Sequence, residues 1–215
     1  MATVNMTVQE ALNKKKLLEK RLSDLHPSRL IFFGIKPKAD NEINNMSIEE
    51  FDNMVKGNLK SVTSLISNLE AIKVAINSSN ATTLVTVAGK QYTCADAIAK
   101  LHQLSDTKRI WNTILLEYNK AESKVTEHNE RVKDPDNIST YLEKVIGAST
   151  KSNATLVDQL TDDYMNKNLF VMQDPNNIKS FVEAKIAELE DFEAEVHTAL
   201  TTSNITTTIS VEYED

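Results

Sequence analysis

The fold is decided by residues 79–87, which read SNATTLVTV, and by residues 203–211, which read SNITTTISV. Each stretch follows a long amphipathic pattern and leads into a segment rich in β-branched residues. Asparagine is the best non-glycine residue for the left-handed conformation that closes a helix, and threonine favours extended backbone. The sequence therefore predicts two equivalent junctions at which a long helix passes into a strand. We expect the two strands to meet in one small sheet.

A long amphipathic pattern precedes the first junction. Ser47 and Glu50 form a capping box, in which each side chain satisfies a backbone amide that the first helical turn leaves unpaired. The following stripe predicts a helix over 47–79, about 45 Å long, and consists of Phe51, Met54, Val55, Val62, Leu65, Ile66, Leu69, Ile72 and Ile76. A second capping box, at Thr7, predicts a shorter helix over 7–25. Long helices are typical of bundles and of subunit contacts.

Residues 29–45 interrupt this periodicity. They contain Gly34 and Pro37 after a short apolar run, which predicts a loop that packs one hydrophobic plug on the body of the protein. An alternative interpretation is that Phe32 and Phe33 form an exposed tip that binds a partner.

A small hairpin and a third helix are predicted after the first junction. Two β-prone segments flank Gly89 and predict the hairpin over 84–93. Thr93, with Asp96 three residues later, is a suitable cap for the next helix. The apolar stripe of this third helix extends to about residue 125.

An Asp-Pro motif occurs twice in the second half of the chain. Residues 134–143 and 174–183 align with each other, and in both copies aspartate suits the N-cap and proline the first helical position. The first copy predicts a short helix that ends near Gly147. The second copy predicts a long final helix. The polar stretch 148–153 between them predicts a loop.

Composition limits the classes of function. The chain has 215 residues, 40% of them hydrophobic and 26% charged, which predicts one helical domain spanning 1–215. The net charge of −7 argues against a nucleic-acid groove. No apolar stretch approaches the length of a membrane span, and no secretory signal is recognisable. We therefore expect a cytoplasmic protein without nucleic-acid or membrane partners.

The sequence offers little support for catalysis or for metal binding. Cys94 is the single cysteine, and the four glycines are scattered, so neither a cysteine metal site nor a phosphate-binding loop is predicted. Cys94 at a helix start could be a nucleophile, but a small buried residue is the favoured interpretation. Glu127 and Glu130 flank His128, for which a solvated helix end is favoured over a metal site. We expect no enzyme activity, no metal and no cofactor.

Several of these motifs resemble the septicolysin-like family of small bacterial and phage proteins. They are Ala11-Leu12, the pattern INxxNxxT over 76–83, Gly89, the run ADAIA over 95–99 and the closing SNxTT over 203–207. The resemblance covers residues 7–122 and 163–211 and treats 124–160 as an insertion. The family's basic stretch before the last helix is mostly absent here. The resemblance implies long antiparallel helices with a small β element, and self-association, but no reaction.

The two junctions and the hairpin bring together the residue types that bind small anionic ligands. Asparagine and threonine offer donors and acceptors for a base or a ribose, tyrosine offers a stacking face, and lysine or arginine contacts phosphate. A purely structural, repeated helix-to-strand junction is the alternative interpretation. The candidate ligand-binding residues are Asn77, Asn80, Thr82, Thr83, Lys90, Tyr92, Lys108, Arg109, Asn204, Thr206 and Thr207.

The sequence therefore predicts a mainly α protein, a bundle of long antiparallel helices with a small β-hairpin or sheet element. The expected function is a homo-oligomeric, non-catalytic binding protein. In its most concrete form it is a phage-encoded protein of the host cytoplasm that sequesters a small nucleotide-like signal between subunits. The alternative is a structural or scaffold protein of a virion or an assembly, with no small ligand.

Overall fold

The computed structural model describes residues 2–25, 30–147 and 154–213. Within these ranges the chain has six helices and three antiparallel pairs of short strands, which confirms the predicted mainly α class with a small β element. In chain order the elements are β1 (Ala2–Thr7), α1 (Val8–Ser23), β2 (Glu42–Ile43), β3 (Met46–Ser47), α2 (Ile48–Thr82), β4 (Leu84–Val87), β5 (Lys90–Thr93), α3 (Cys94–Lys133), α4 (Pro135–Ile146), α5 (Ala154–Asn168), α6 (Ile178–Thr206) and β6 (Thr208–Tyr213).

The chain forms two compact units. The first comprises Met1–His102 and Phe192–Asp215, and the second comprises Gln103–Asp191. Segment 124–160 falls within the second unit, and its being an insertion stays a prediction.

Side-chain caps fix where the first three long helices begin. The Thr7 hydroxyl accepts a hydrogen bond from the Glu10 amide at 3.2 Å, and the Glu10 carboxylate accepts one from the Thr7 amide at 2.8 Å. Ser47 and Glu50 repeat this capping box at the start of α2. Thr93 caps α3 by accepting from the amide of Asp96 at 3.0 Å. Each cap satisfies amides that would otherwise be orphaned, and all three predicted starts are confirmed.

The prediction that β4 and β6 meet in one sheet is wrong, because each of them pairs with a different strand. Ala88 and Gly89 both have positive φ, 49° and 71°, and this tight turn folds β5 back onto β4. Strand β6 pairs instead with β1, in a register that places Thr7 opposite Thr208. Strand β1 was not predicted from the sequence, so no partner at the N-terminus was expected for β6.

The core of the first unit combines the β1–β6 ribbon with α1 and α2. A contiguous buried cluster holds these elements together, and its members are Met6, Val8, Ala11, Leu18, Leu69, Ile72, Ile76, Ile209, Val211 and Tyr213. Helices α1 and α2 are also joined at the surface, because Lys73 of α2 lies 3.2 Å from the Glu19 carboxylate of α1.

The β4–β5 hairpin packs in a similar way on the last part of α6. Val85 and Val87 of β4 and Val196 of α6 are buried. Tyr92 packs its ring edge-to-face with Phe192, with centroids 5.5 Å apart. The Ala88 amide in the turn donates to the Glu195 carboxylate at 2.7 Å.

In the second unit, segment 168–170 is attached to α3 by side chains. Asn129 donates to the Phe170 carbonyl at 2.9 Å and accepts from the Phe170 amide at 2.8 Å, as a β-ladder residue would. The His128 ring stacks on the Phe170 ring at 3.7 Å, and its Nε2 lies 2.8 Å from the Asn168 carbonyl. His128 therefore has a structural partner, although the sequence analysis placed it at a solvated helix end.

The two copies of the Asp-Pro motif fold differently. In the first copy Asp134 is the N-cap and Pro135 begins α4, as predicted. In the second copy helix α6 begins only at Ile178, because Asn177 adopts a left-handed φ of 49°. The Asp174 carboxylate then accepts from the Ile178 amide at 2.9 Å.

Other boundaries also differ from expectation. Helix α3 runs to Lys133, beyond residue 125, because nothing before the Asp-Pro motif interrupts it. Helix α5 and the small β2–β3 hairpin were not predicted. Asn44 and Asn45 both have positive φ and form the turn of that hairpin. The predicted loop 148–153 lies outside the described residues.

The segment after α1 packs on the first part of α2. Asn58 donates to the Ile31 carbonyl at 3.0 Å. Gly34 sits so close to side chains of α2 and β2 that a Cβ there would lie 2.7 Å from Phe51 Cζ and 2.8 Å from Ile43 Cγ2. Residues 30–32 are half-buried, as the predicted plug requires, whereas Phe33 is 81% exposed.

We expect Gly34→Ala to destabilise the protein by about 1–3 kcal/mol, because the added methyl group overpacks against the buried Phe51 ring. Gly57→Ala is the matched control. An added Cβ there meets nothing within 4 Å, so this variant should gain up to about 1 kcal/mol from helix propensity. Urea unfolding followed by circular dichroism measures both changes. Equal midpoints for the two variants would contradict the packing described.

The capping boxes predict a specific acid sensitivity. The hydrogen bond from the Thr7 amide lowers the pKa of Glu10, and the bond from the Ser47 hydroxyl lowers the pKa of Glu50. Because each folded pKa lies below the unfolded value of about 4.3, the stabilisation is complete above that pH and is lost as the pH falls through the folded pKa. A Glu10→Gln, Glu50→Gln double variant should therefore lose less stability on acidification than the wild type. Unfolding curves that shift equally with pH would contradict this expectation.

Candidate functional site

The first junction is closed by hydrogen bonds between its own residues. The Thr83 amide donates to the Ser79 carbonyl at 2.8 Å, and the Thr82 hydroxyl donates to the Ser78 carbonyl at 3.1 Å. The hydroxyls of Ser79 and Thr83 lie 3.3 Å apart. Together these bonds satisfy carbonyls that the last turn of α2 would leave unpaired.

The second junction repeats this arrangement. The Thr207 amide donates to the Ser203 carbonyl at 2.8 Å, the Thr206 hydroxyl donates to the Thr202 carbonyl at 2.9 Å, and the hydroxyls of Ser203 and Thr207 lie 3.5 Å apart. The predicted equivalence of the two junctions is confirmed, but the predicted left-handed closure at Asn80 and Asn204 is wrong, because α2 and α6 continue through these residues to Thr82 and Thr206.

The repeat extends into the helices that follow. The Cys94 amide at the start of α3 donates to the Thr83 carbonyl at 2.9 Å, and the Val8 amide at the start of α1 donates to the Thr207 carbonyl at the same distance. Each junction thus leads through a pair of strands to a new helix. The repeated arrangement is thus a helix end, a pair of strands and the start of another helix: α2, β4, β5 and α3 in one copy, and α6, β6, β1 and α1 in the other.

A small groove lies between β4 and the end of α6. Its volume is about 360 Å³, and it is lined by Thr83, Leu84, Val85, Thr86, Ala199, Thr202, Ser203, Thr206 and Thr207. Three of the predicted ligand residues, Thr83, Thr206 and Thr207, meet here. The lining offers hydroxyl groups but no charged side chain, so it has no group that would neutralise a phosphate.

The other candidate residues do not line this groove. Asn77 and Thr82 are exposed on α2, and Asn80 is half-buried, like Asn204 on α6. Lys90 is exposed on β5.

Tyr92 is held by neighbouring side chains. Its hydroxyl accepts from Lys100 at 2.9 Å, and its ring contacts Phe192. Lys108 and Arg109 belong to the second unit, where Arg109 lies 3.7 Å from the Asp106 carboxylate.

The structure provides no support for Cys94 as a nucleophile or for a metal site among the described residues. Cys94 is buried, with its Sγ 3.4 Å from the Ser203 hydroxyl. Among the residues that the structure describes, no three histidine, cysteine, aspartate or glutamate side chains are grouped so that they could hold a metal ion.

A polar cluster in the second unit joins α3 to the start of α6. Lys179 lies 3.0 Å from the Glu122 carboxylate, and this hydrogen bond raises the pKa of Lys179. Burial raises the pKa of Tyr118, and the negative charges of Asp174 and Glu122 add to this effect. Lys179 also lies over the Tyr118 ring, 5.9 Å from its centroid, and Tyr118 is hydrogen-bonded to Asp174, which indicates a cross-link rather than a ligand site.

A second groove of the first unit was not predicted from the sequence. It lies between α1 and α2, has a volume of about 670 Å³ and is lined by Leu18, Arg21, Asp24, Leu25, Gly57, Lys60, Ser61, Ser64, Leu65 and Asn68. We call it the α1–α2 groove. It combines an apolar wall of leucines with two cations, one carboxylate, two hydroxyls and an amide.

The α1–α2 groove is open because α2 presents small side chains there. Gly57, Ser61 and Ser64 follow one another at the spacing of a single helix face. The available signal in the sequence was Gly57, since glycine inside a helix costs about 1 kcal/mol relative to alanine. The serines and Lys60 look like an ordinary solvated face when the position of α1 is unknown.

None of the helices in the described ranges carries an apolar stretch long enough to cross a membrane. No family model, no curated protein and no solved structure matches this chain, so the resemblance to the septicolysin-like family stays a prediction.

Proposed function

We propose that this chain is a non-catalytic binding protein that holds a small anionic ligand in the α1–α2 groove. The observation that supports this most is that Arg21 and Lys60 line one groove together with apolar side chains. Its volume of about 670 Å³ lies within the range of small-molecule sites.

The chemistry of the groove favours an anion with an apolar part. The guanidinium of Arg21 can bind a phosphate or a carboxylate through two parallel hydrogen bonds, and Lys60 adds a point charge. The hydroxyls of Ser61 and Ser64 can donate to the same ligand. The Asp24 carboxylate in turn suits an N–H or O–H donor of that ligand, such as an amino or ribose hydroxyl group.

The lining also favours binding without reaction. Ser61 and Ser64 carry hydroxyl groups that could in principle be nucleophiles. A serine nucleophile, however, needs a general base within hydrogen-bond reach. The groove residues include no histidine, the side chain that most often acts as that base. In the wider form of this proposal the protein sequesters a nucleotide-like signal in a host cytoplasm, which the resemblance to a family with phage members supports.

Self-association is part of the proposal. Phe33 and Ile35 are 81% and 93% exposed on the segment that packs against α2. Exposed apolar side chains this close together are typical of protein contacts. The same observation favours the second candidate function, a scaffold without a small ligand.

We expect an Arg21→Gln, Lys60→Gln double variant to bind its anion at least about 10-fold more weakly, because each charge-assisted hydrogen bond contributes about 1.5–3 kcal/mol. Native mass spectrometry of the protein purified from cells identifies a co-purified ligand. Titration calorimetry with adenosine monophosphate, adenosine diphosphate and inorganic pyrophosphate then measures affinity.

The matched control is an Arg131→Gln, Lys56→Gln double variant, which removes the same charges at exposed positions outside the groove. It should bind like the wild type. An equal loss in both double variants would point to net charge rather than to the groove. Absence of binding to every probe, together with an empty purified protein, would contradict the proposal.

A Phe33→Ser, Ile35→Ser double variant should shift the protein to a smaller species, because it removes the exposed apolar pair. Sedimentation velocity measures the mass in solution. Val74→Ser, at another exposed apolar residue of the first unit, is the control and should leave the mass unchanged. A wild-type protein that sediments as a monomer would exclude self-association, and open-ended polymers would favour the scaffold.

A further inference from the structure

The repeat within the chain provides an internal comparison for the α1–α2 groove. Ser79 and Ser203 occupy equivalent positions near the ends of α2 and α6. Counting 22 residues back along each helix reaches Gly57 in α2 and Phe181 in α6. Counting 11 residues back reaches Asn68 and Phe192. Two positions that line the groove in α2 therefore correspond to two aromatic residues in α6.

The aromatic residues of α6 are packed against other groups. The Phe181 ring meets the Trp111 ring edge-to-face, with centroids 5.8 Å apart. The Phe192 side chain is 1% exposed and lies against Tyr92. The ammonium group of Lys100 lies 4.2 Å from the centroid of the Phe192 ring, which is a cation–π contact.

Helix α2 has no ring at either equivalent position. An added Cβ at Gly57 would meet nothing within 4 Å, so packing does not require glycine there. The missing rings leave space beside Arg21 and Lys60, the cations of the groove. Asn68 replaces a ring with an amide at the groove wall.

We propose that the ligand of the α1–α2 groove carries a planar aromatic group, which occupies the space that the phenylalanine rings fill in the other copy. The proposal rests on the proposed function and specifies its ligand class, a heteroaromatic anion. The apolar wall of Leu18 and Leu65 contacts the ring. Arg21 and Lys60 bind the anionic group or stack on the ring face, and the hydroxyls of α2 bind the polar edge.

Equilibrium binding to the full chain tests the ligand class with three probes of related charge. Adenosine monophosphate and 1-naphthyl phosphate carry an aromatic group, whereas ribose 5-phosphate does not. We expect both aromatic probes to bind at least 10-fold more tightly than ribose 5-phosphate. Equal affinities for all three would overturn the aromatic inference and leave the anion site intact. No binding of any probe would overturn both.

Gly57→Phe tests the place of the ring, because it puts into the groove the side chain that the other copy has at that position. It should lower the affinity for adenosine monophosphate at least 10-fold, while Val74→Phe, at an exposed position of α2 outside the groove, keeps it. Circular dichroism first checks that the variant is folded, and Asn68→Phe replaces it otherwise. Unchanged affinity in a folded aromatic variant would overturn the proposal.

A second copy of the chain is the rival occupant, with its exposed Phe33 in the groove. In that case Gly57→Phe and Phe33→Ser would both abolish self-association in sedimentation velocity. In addition, Phe33→Ser would not bind any aromatic probe more tightly than the wild type does. That result would overturn the proposal in favour of a subunit contact. Self-association that persists in Gly57→Phe while aromatic binding is lost would support the ligand.

Discussion

The first unit depends on one backbone hydrogen bond that occurs twice, from the first amide of a helix to the last carbonyl of a junction. Cys94 donates to Thr83, and Val8 donates to Thr207. Each bond pairs a carbonyl just after the end of one helix with the first amide of another helix. It therefore joins the end of α2 to the start of α3, and the end of α6 to the start of α1. The nearby hydroxyls form hydrogen bonds with the remaining carbonyls of each helix end, which explains why the junctions are rich in serine and threonine.

Local signals in the sequence predicted what local interactions determine. The capping boxes at Thr7 and Ser47 and the turn at Gly89 are complete within four or five residues, so helix starts and the hairpin could be read directly. The pairing of β6 with β1 joins residues about 200 positions apart, and no local pattern encodes it. Asn177 shows the same limit, because its left-handed backbone delays α6 although the Asp-Pro motif matches an earlier copy.

The candidate site was harder to predict than the fold. The asparagine and threonine residues of the junctions drew attention because they are polar and repeated, but most of their polarity satisfies the backbone at the helix ends. The α1–α2 groove consists of leucines, serines and two cations that look unremarkable in the sequence. The groove can be recognised only when α1 is packed against α2. The ligand class that we propose for it comes from comparing the two copies of the repeat. Gly57 and Asn68 in α2 are smaller than Phe181 and Phe192 at the equivalent positions of α6, so the same arrangement leaves more space beside α2.

The pairing of Ala2 with Tyr213 has a topological consequence. The ribbon that they begin is equivalent to the β4–β5 hairpin, except that no turn connects its strands. A short linker from residue 213 to residue 2 would make the backbone a ring with two equivalent corners. The ring could then be opened at Ala88 and Gly89 with the helices and strand pairs unchanged. The two corners would then exchange roles, with the new termini at the β4–β5 pair and the linker at the β1–β6 pair.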